Sequence, residues 1–138
     1  MNKALFILAL FFSMNPFNPC NAQILNGEKK RLTTIVDGVE REYFLHIPAS
    51  YSENSAVPLV FMLHGTGGDG DKMYVGSGWA ELAETENFIA VFPSSMRYKI
   101  DDGGELKNIT KWNHTPDAEW TFQPGETGKD DIKFLRRV

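Results

Sequence analysis

The chain has 138 residues, enough apolar ones among them for a single domain with a packed core. Its net charge of -4, with acidic and basic residues interspersed, offers no extended basic field, so nucleic acid is not an expected partner. Cys20 is the only cysteine, which rules out an internal disulfide framework.

Residues 1–22 read as a secretory signal peptide. Lys3 gives a positive n-region, residues 4–12 are an uncharged apolar run, and Asn15-Pro16 and Asn18-Pro19 interrupt any helix. Cys20-Asn21-Ala22 then presents small residues for cleavage between Ala22 and Gln23. The run is far shorter than the roughly 20 residues a spanning helix needs, so no stable membrane anchor is expected. A lipoprotein signal fits poorly with Phe17 and Pro19 ahead of Cys20. The expected mature chain, 23–138, is extracellular or periplasmic and has no thiol.

Residues 29–36 and 41–47 read as two strands. In the second, Tyr43, Leu45 and Ile47 alternate with Glu42, Phe44 and His46. Asp37-Gly38 between them tolerates the positive φ angles of a tight hairpin turn. Pro58-Leu59-Val60-Phe61-Met62-Leu63 is continuously apolar, which suits a strand buried on both faces of a parallel sheet. A glycine-rich loop follows over 65–70. A helix is predicted over 78–86, with Ser77 as N-cap and Trp79, Leu82 and Ala83 facing inward. Phe88-Ile89-Ala90-Val91-Phe92-Pro93 predicts a second buried strand.

Residues 94–129 show little periodicity and read as a long loop, a feature that in compact domains is usually functional or partly disordered. This one contains Trp112 and Trp120, which disordered segments seldom carry. Asp130 and Asp131 open a last helix whose inward stripe is Ile132, Leu135 and Val138, with Phe134 alongside. No stop signal for that helix precedes Val138. The order hairpin, buried strand, helix, buried strand predicts a mixed α/β sheet.

The informative motif is His64-Gly65-Thr66-Gly67-Gly68 at the end of the first buried strand. A strand that delivers glycines at its C-terminal end presents backbone N–H groups where no side chain obstructs them. Such groups suit an oxyanion developing during acyl transfer. The Thr66 amide is the candidate donor. Gly65 and Gly67 are expected to allow the turn, and Gly68 a close approach by substrate. The competing readings are a plain turn or a phosphate-cradling nest. Asp69-Gly70-Asp71-Lys72 lacks the Lys-Ser/Thr pair with which a phosphate loop enters its helix.

The surroundings add a resemblance. Tyr43-Phe44-Leu45-His46-Ile47-Pro48 followed by the 58–65 run is similar to the opening of the polyhydroxybutyrate depolymerase and feruloyl esterase group of secreted α/β-hydrolases. The segment from Trp79 to Pro93 resembles that group's helix and following strand. Lys111-Trp112-Asn113 looks like its tryptophan loop, with Lys111 where the group often has Cys. Gly128-Lys129-Asp130-Asp131-Ile132-Lys133-Phe134-Leu135 looks like the helix before its nucleophile strand. The resemblance covers about residues 30–138 and implies the α/β-hydrolase fold, a mixed, mostly parallel sheet flanked by helices. Residues 23–138 would be its N-terminal part.

The resemblance further implies a Ser-Asp-His triad with the serine in a G-x-S-x-G elbow. No such string occurs in these 138 residues; Gly76-Ser77-Gly78 lacks the spacing, and Ser94-Ser95 lacks flanking glycines. The elbow is expected beyond Val138, so no catalytic residue is assigned within the chain, which alone is expected to be inactive. The expected activity of the whole is that of a secreted serine esterase, acting on a polyester or on acyl or feruloyl esters of plant polysaccharide. No cofactor is implied. His46, His64 and His114 are not spaced as a metal site. His64 is expected to order its loop, and Trp112, Asn113 and Trp120 are candidates for the substrate cleft. Two other readings stand beside this one. The first is a prolyl-oligopeptidase-type peptidase fragment. The second is a non-catalytic carbohydrate-binding module with Trp112 and Trp120 as its platform.

Overall fold

A computed structural model describes residues 25–113 and 120–138; the segment expected to be a signal peptide, with Cys20 and the expected cleavage point, and His114 lie outside the described residues. Strands β1 (Glu28–Val36) and β2 (Val39–Ile47) form an antiparallel hairpin, paired from Glu28 with Ile47 to Val36 with Val39. Asp37 (φ 51°) and Gly38 (φ 76°) are both left-handed, the two-residue turn whose twist matches its strands. Strand β3 (Leu59–Phe61) leads through helices α1 (Gly70–Gly76) and α2 (Trp79–Glu86) to β4 (Ile89–Pro93). That crossover makes β3 and β4 parallel, while β4 runs antiparallel to β2, giving the order β1-β2-β4-β3.

Alternation along the strands assigns the two faces. Phe44, Ala90, Phe92 and Val60 meet Tyr74, Ala80, Ala83 and Phe88 from the helical side to form the main core. Arg41 and Tyr43 point the other way, beneath helix α3 (Asp131–Arg137). The Phe134 ring meets Tyr43 edge-on with centroids 6.5 Å apart, and the Arg41 guanidinium lies 4.1 Å from the Phe134 centroid. Helices thus cover both faces of a mixed sheet.

Six expectations are corrected. The sheet is not mostly parallel, since of its three pairings only β3–β4 runs parallel. The run over 58–63 is not buried on both faces: β3 lies at the edge of the sheet, with Leu59 51% and Leu63 45% exposed. The stretch over 94–129 is not structureless. It holds a three-stranded antiparallel sheet of β5 (Met96–Asp102), β6 (Glu105–Lys111) and β7 (Trp120–Phe122), in the order β6-β5-β7. Tyr98, Ile100 and Trp120 form its core, and Gly103 (φ 64°) and Gly104 (φ 89°) make the β5–β6 turn. The glycine-rich loop ends earlier than expected, because Asp69 caps α1 by accepting the Lys72 N–H at 2.8 Å. Ser77 is not the N-cap of α2: its N–H donates to Met73 O and closes α1, and left-handed Gly78 (φ 74°) precedes α2. Leu82 and Ile132 face outward; the inward residues are Ala80 and Ala83 on α2, and Asp131 and Phe134 on α3.

His46 is fully buried and satisfied. Its Nε2–H donates to Glu84 Oε1 and its Nδ1 accepts the Tyr74 hydroxyl, both at 2.8 Å. Among the described residues no helix is long and apolar enough to cross a membrane.

Candidate functional site

Beyond Phe61 the Met62 N–H still donates to Val91 O at 2.8 Å, so β3 holds the sheet up to the glycine loop. The loop then turns through Gly67 (φ 81°), a conformation that favours glycine. Its amides divide by use. Gly67 N–H donates to Thr110 O (2.9 Å), Gly68 N–H to Gly65 O (3.1 Å) and Gly70 N–H to Ser94 Oγ (3.0 Å). The Thr66 N–H has no partner among the described residues, and Thr66 is exposed.

His64 fixes which way that amide points. The Ser95 backbone N–H donates to His64 Nε2 at 3.0 Å, so Nε2 carries no proton, and Nδ1–H donates to Gly65 O at 2.6 Å. Gly65 O therefore receives two hydrogen bonds, from His64 and from Gly68. It shares one trans peptide with the Thr66 N–H, and the two groups of a trans peptide point in opposite directions. Holding the carbonyl inward turns the amide outward.

The rest of the support comes from β6 and the strap after it. Thr110 Oγ1 donates to Gly68 O (2.6 Å), and Trp112 Nε1–H donates to His64 O (2.8 Å) with its ring centroid 5.0 Å from that of His64. The Asn113 N–H donates to Asp131 Oδ2 at 2.6 Å, and Asn113 Nδ2 donates to Lys129 O at 3.0 Å. Of the three residues assigned to a substrate cleft, Trp112 instead buttresses the loop and Asn113 ties the strap to α3. Trp120 lies in the second core, edge-on to Phe122 and under Lys111 Nζ at 4.4 Å. The sequence gives no sign of the roles of Thr110 and of the Ser95 amide, although alternation along β6 marks Thr110 as inward-facing.

A cleft of about 450 Å³ opens over the loop, lined by His64, Gly65, Thr66, Gly68 and Asp69, with Lys72, Met73, Gly76 and Ser77 on its α1 side. Asp69 is held below the ordinary carboxylate value, first by the Lys72 backbone N–H and further by the Lys72 ammonium; burial opposes them less strongly. Gly65 has no neighbour within 4 Å of a would-be Cβ and no positive φ, so the turn does not require it. Gly68 is tight against His64 and Gly65 O, so its lack of a side chain serves the loop itself rather than an incoming substrate.

Among the described residues no serine hydroxyl is hydrogen-bonded to a histidine. Ser94 Oγ accepts the Gly70 N–H and donates to Glu42 Oε1 at 3.3 Å, while His64 Nε2 engages the Ser95 amide and not its hydroxyl. Among the described residues no group of three or more His, Cys, Asp or Glu is arranged to hold a metal ion.

No known protein family matches the sequence, and no curated protein matches it. Among solved structures, a CE1 ferulic acid esterase from Anaeromyces mucronatus, in complex with ferulic acid, is similar at a TM-score of 0.40 and 24% identity. The likeness covers 49% of this chain and 28% of that one, so the chain spans under a third of that enzyme's length.

Proposed function

We propose that the chain is the N-terminal part of an exported serine esterase of the α/β-hydrolase fold. In this reading the His64–Gly68 loop supplies one of the enzyme's two oxyanion donors. The observation that carries it is the Thr66 N–H, which is unpartnered and turned outward at the end of β3, while the neighbouring amides of Gly67 and Gly68 are consumed. A loop between the third strand and the first helix is where α/β-hydrolases place this donor. The second donor, the amide after the nucleophilic serine, would come from residues following Val138, as would the triad.

The chemistry is acyl transfer. A serine attacks the ester carbonyl, a histidine takes its proton and returns it to the leaving alcohol, and water repeats the cycle on the acyl-enzyme. Thr66 N–H and its partner amide stabilise the oxyanion formed at each attack. We assign the substrate to a polyester or an acyl- or feruloyl-bearing plant polysaccharide, with no cofactor. Burial of Trp120 and the use of the Trp112 indole by His64 weigh against an exposed tryptophan platform, and so against a carbohydrate-binding module.

The test uses the intact reading frame. A fluorophosphonate should label one serine, in a G-x-S-x-G that follows Val138, and abolish hydrolysis of a 4-nitrophenyl ester. Residues 1–138 alone should not hydrolyse that ester. Fluorophosphonate-sensitive hydrolysis by the 138-residue chain would sink the assignment.

A further inference from the structure

We propose that Asp131 is a positioning residue for the oxyanion loop, acting from the far face of the sheet through Asn113 and Trp112. The inference rests on the esterase reading for its purpose but not for its test. Asp131 is buried and both its oxygens are engaged, Oδ1 by Arg41 Nη2 and Oδ2 by the Asn113 N–H, each at 2.6 Å. Asn113 Nδ2 adds a second tie, to Lys129 O. The strap is thus fixed at α3 one residue after Trp112. The Trp112 indole in turn donates to His64 O and lies against the His64 ring.

Two successive peptide groups are clamped in this way. Trp112 holds the His64 carbonyl, and His64 Nδ1–H with the Gly68 N–H hold the Gly65 carbonyl. The Thr66 amide belongs to the second of these groups, and Trp112 acts on its direction through His64, whose carbonyl and ring it holds. Asp131 sets the position of Trp112.

The alternative role for Asp131 is to stabilise the fold by pairing with Arg41. Arg41 makes a poor stability device here, because its Nε and Nη1 are buried without a hydrogen-bond partner among the described residues. Buried ion pairs of this kind can often be exchanged for apolar residues without loss of stability. The two roles therefore separate when the charges are removed and only the acceptor for Asn113 is varied.

The full chain is labelled with 15N-tryptophan in wild type, Arg41→Met/Asp131→Asn and Arg41→Met/Asp131→Leu. Asparagine keeps an acceptor for the Asn113 N–H; leucine does not. The leucine variant should exchange its Trp112 indole N–H about tenfold faster than the asparagine variant, the scale of one lost hydrogen bond. The Trp79 and Trp120 indoles, together with the thermal midpoint, serve as internal controls. Equal Trp112 exchange in the two folded variants would overturn the proposal. If the leucine variant does not fold, Arg41→Met/Asp131→Ala makes the same comparison. Because the readout is a proton on Trp112, its failure leaves the esterase reading untouched. Conversely, absence of hydrolysis by the intact protein leaves this result standing.

Discussion

The Ser95 backbone N–H donates to Nε2 of His64 at 3.0 Å, which places the imidazole proton on Nδ1, against Gly65 O. Both ring nitrogens are thereby committed, one to the glycine loop and one to the segment after β4, so His64 is unavailable as a general base without breaking these bonds. His64→Ala leaves the buried Ser95 amide unsatisfied, at a cost of about 1–3 kcal/mol. Urea denaturation of the two proteins measures that loss, and 15N shifts of the wild-type imidazole should report a neutral ring protonated on Nδ1.

Thr66 offers a test of the donor, because proline removes the backbone N–H, while also fixing φ and restricting Gly65 before it. The residue has no positive φ and its amide holds nothing in the fold. Thr66→Pro breaks no hydrogen bond of the fold, and the thermal midpoint of the variant checks that the ring's fixed φ leaves the loop in place. In the intact enzyme kcat should fall about 10²- to 10³-fold, the usual effect of removing one oxyanion donor. Wild-type kcat in the variant would remove Thr66 from the mechanism.

The glycines of this region should respond very differently to alanine. A Cβ on Gly70 would collide with the Phe92 carbonyl oxygen, backbone that cannot yield without moving β4. Gly70→Ala should destabilise by about 1–3 kcal/mol, the range for overpacking. Gly65→Ala meets open space and should shift stability by less than about 0.5 kcal/mol. Its methyl would occupy a cleft-lining position, so the expected effect is a raised KM in the intact enzyme. Chemical denaturation separates the two variants.

What could be read from the sequence divides along local and non-local lines. The β1–β2 hairpin announces itself through Asp37-Gly38 and the alternation in β2, and β4 through its apolar run; the run over 58–63 marks where β3 forms but not that it is a half-exposed edge strand. The β5–β6 hairpin was equally local, since Met96, Tyr98 and Ile100 alternate with Arg97 and Lys99 before Gly103-Gly104. Asp101 and Asp102 break the apolar alternation at its end; in the fold they accept the Gly104 N–H and pair with Lys107. The loop that leaves the Thr66 N–H without a partner among the described residues is marked by the motif. Its supports are not, because Arg41 with Asp131 and Trp112 with His64 join residues far apart in sequence, and no periodicity encodes such pairs.

Glu84 gives the fold a predictable acid sensitivity. Its carboxylate is largely buried, which by itself raises its pKa, yet hydrogen bonds from the Ala49 N–H, His46 and the Gly27 N–H together outweigh burial. They hold it below the ordinary value of 4.5. A carboxylate depressed in the folded state binds protons less readily there than in the unfolded chain. Its stabilising contribution is therefore complete above about pH 4.5 and is lost as pH falls through the lowered folded-state value. Asp69 is shifted in the same direction, so the whole chain should weaken over this range. Glu84→Gln removes only the Glu84 share: urea midpoints measured from pH 6 down to pH 3 should fall less steeply in the variant. Identical slopes would mean that the ionised form of Glu84 contributes nothing to holding Gly27, His46 and Ala49 together.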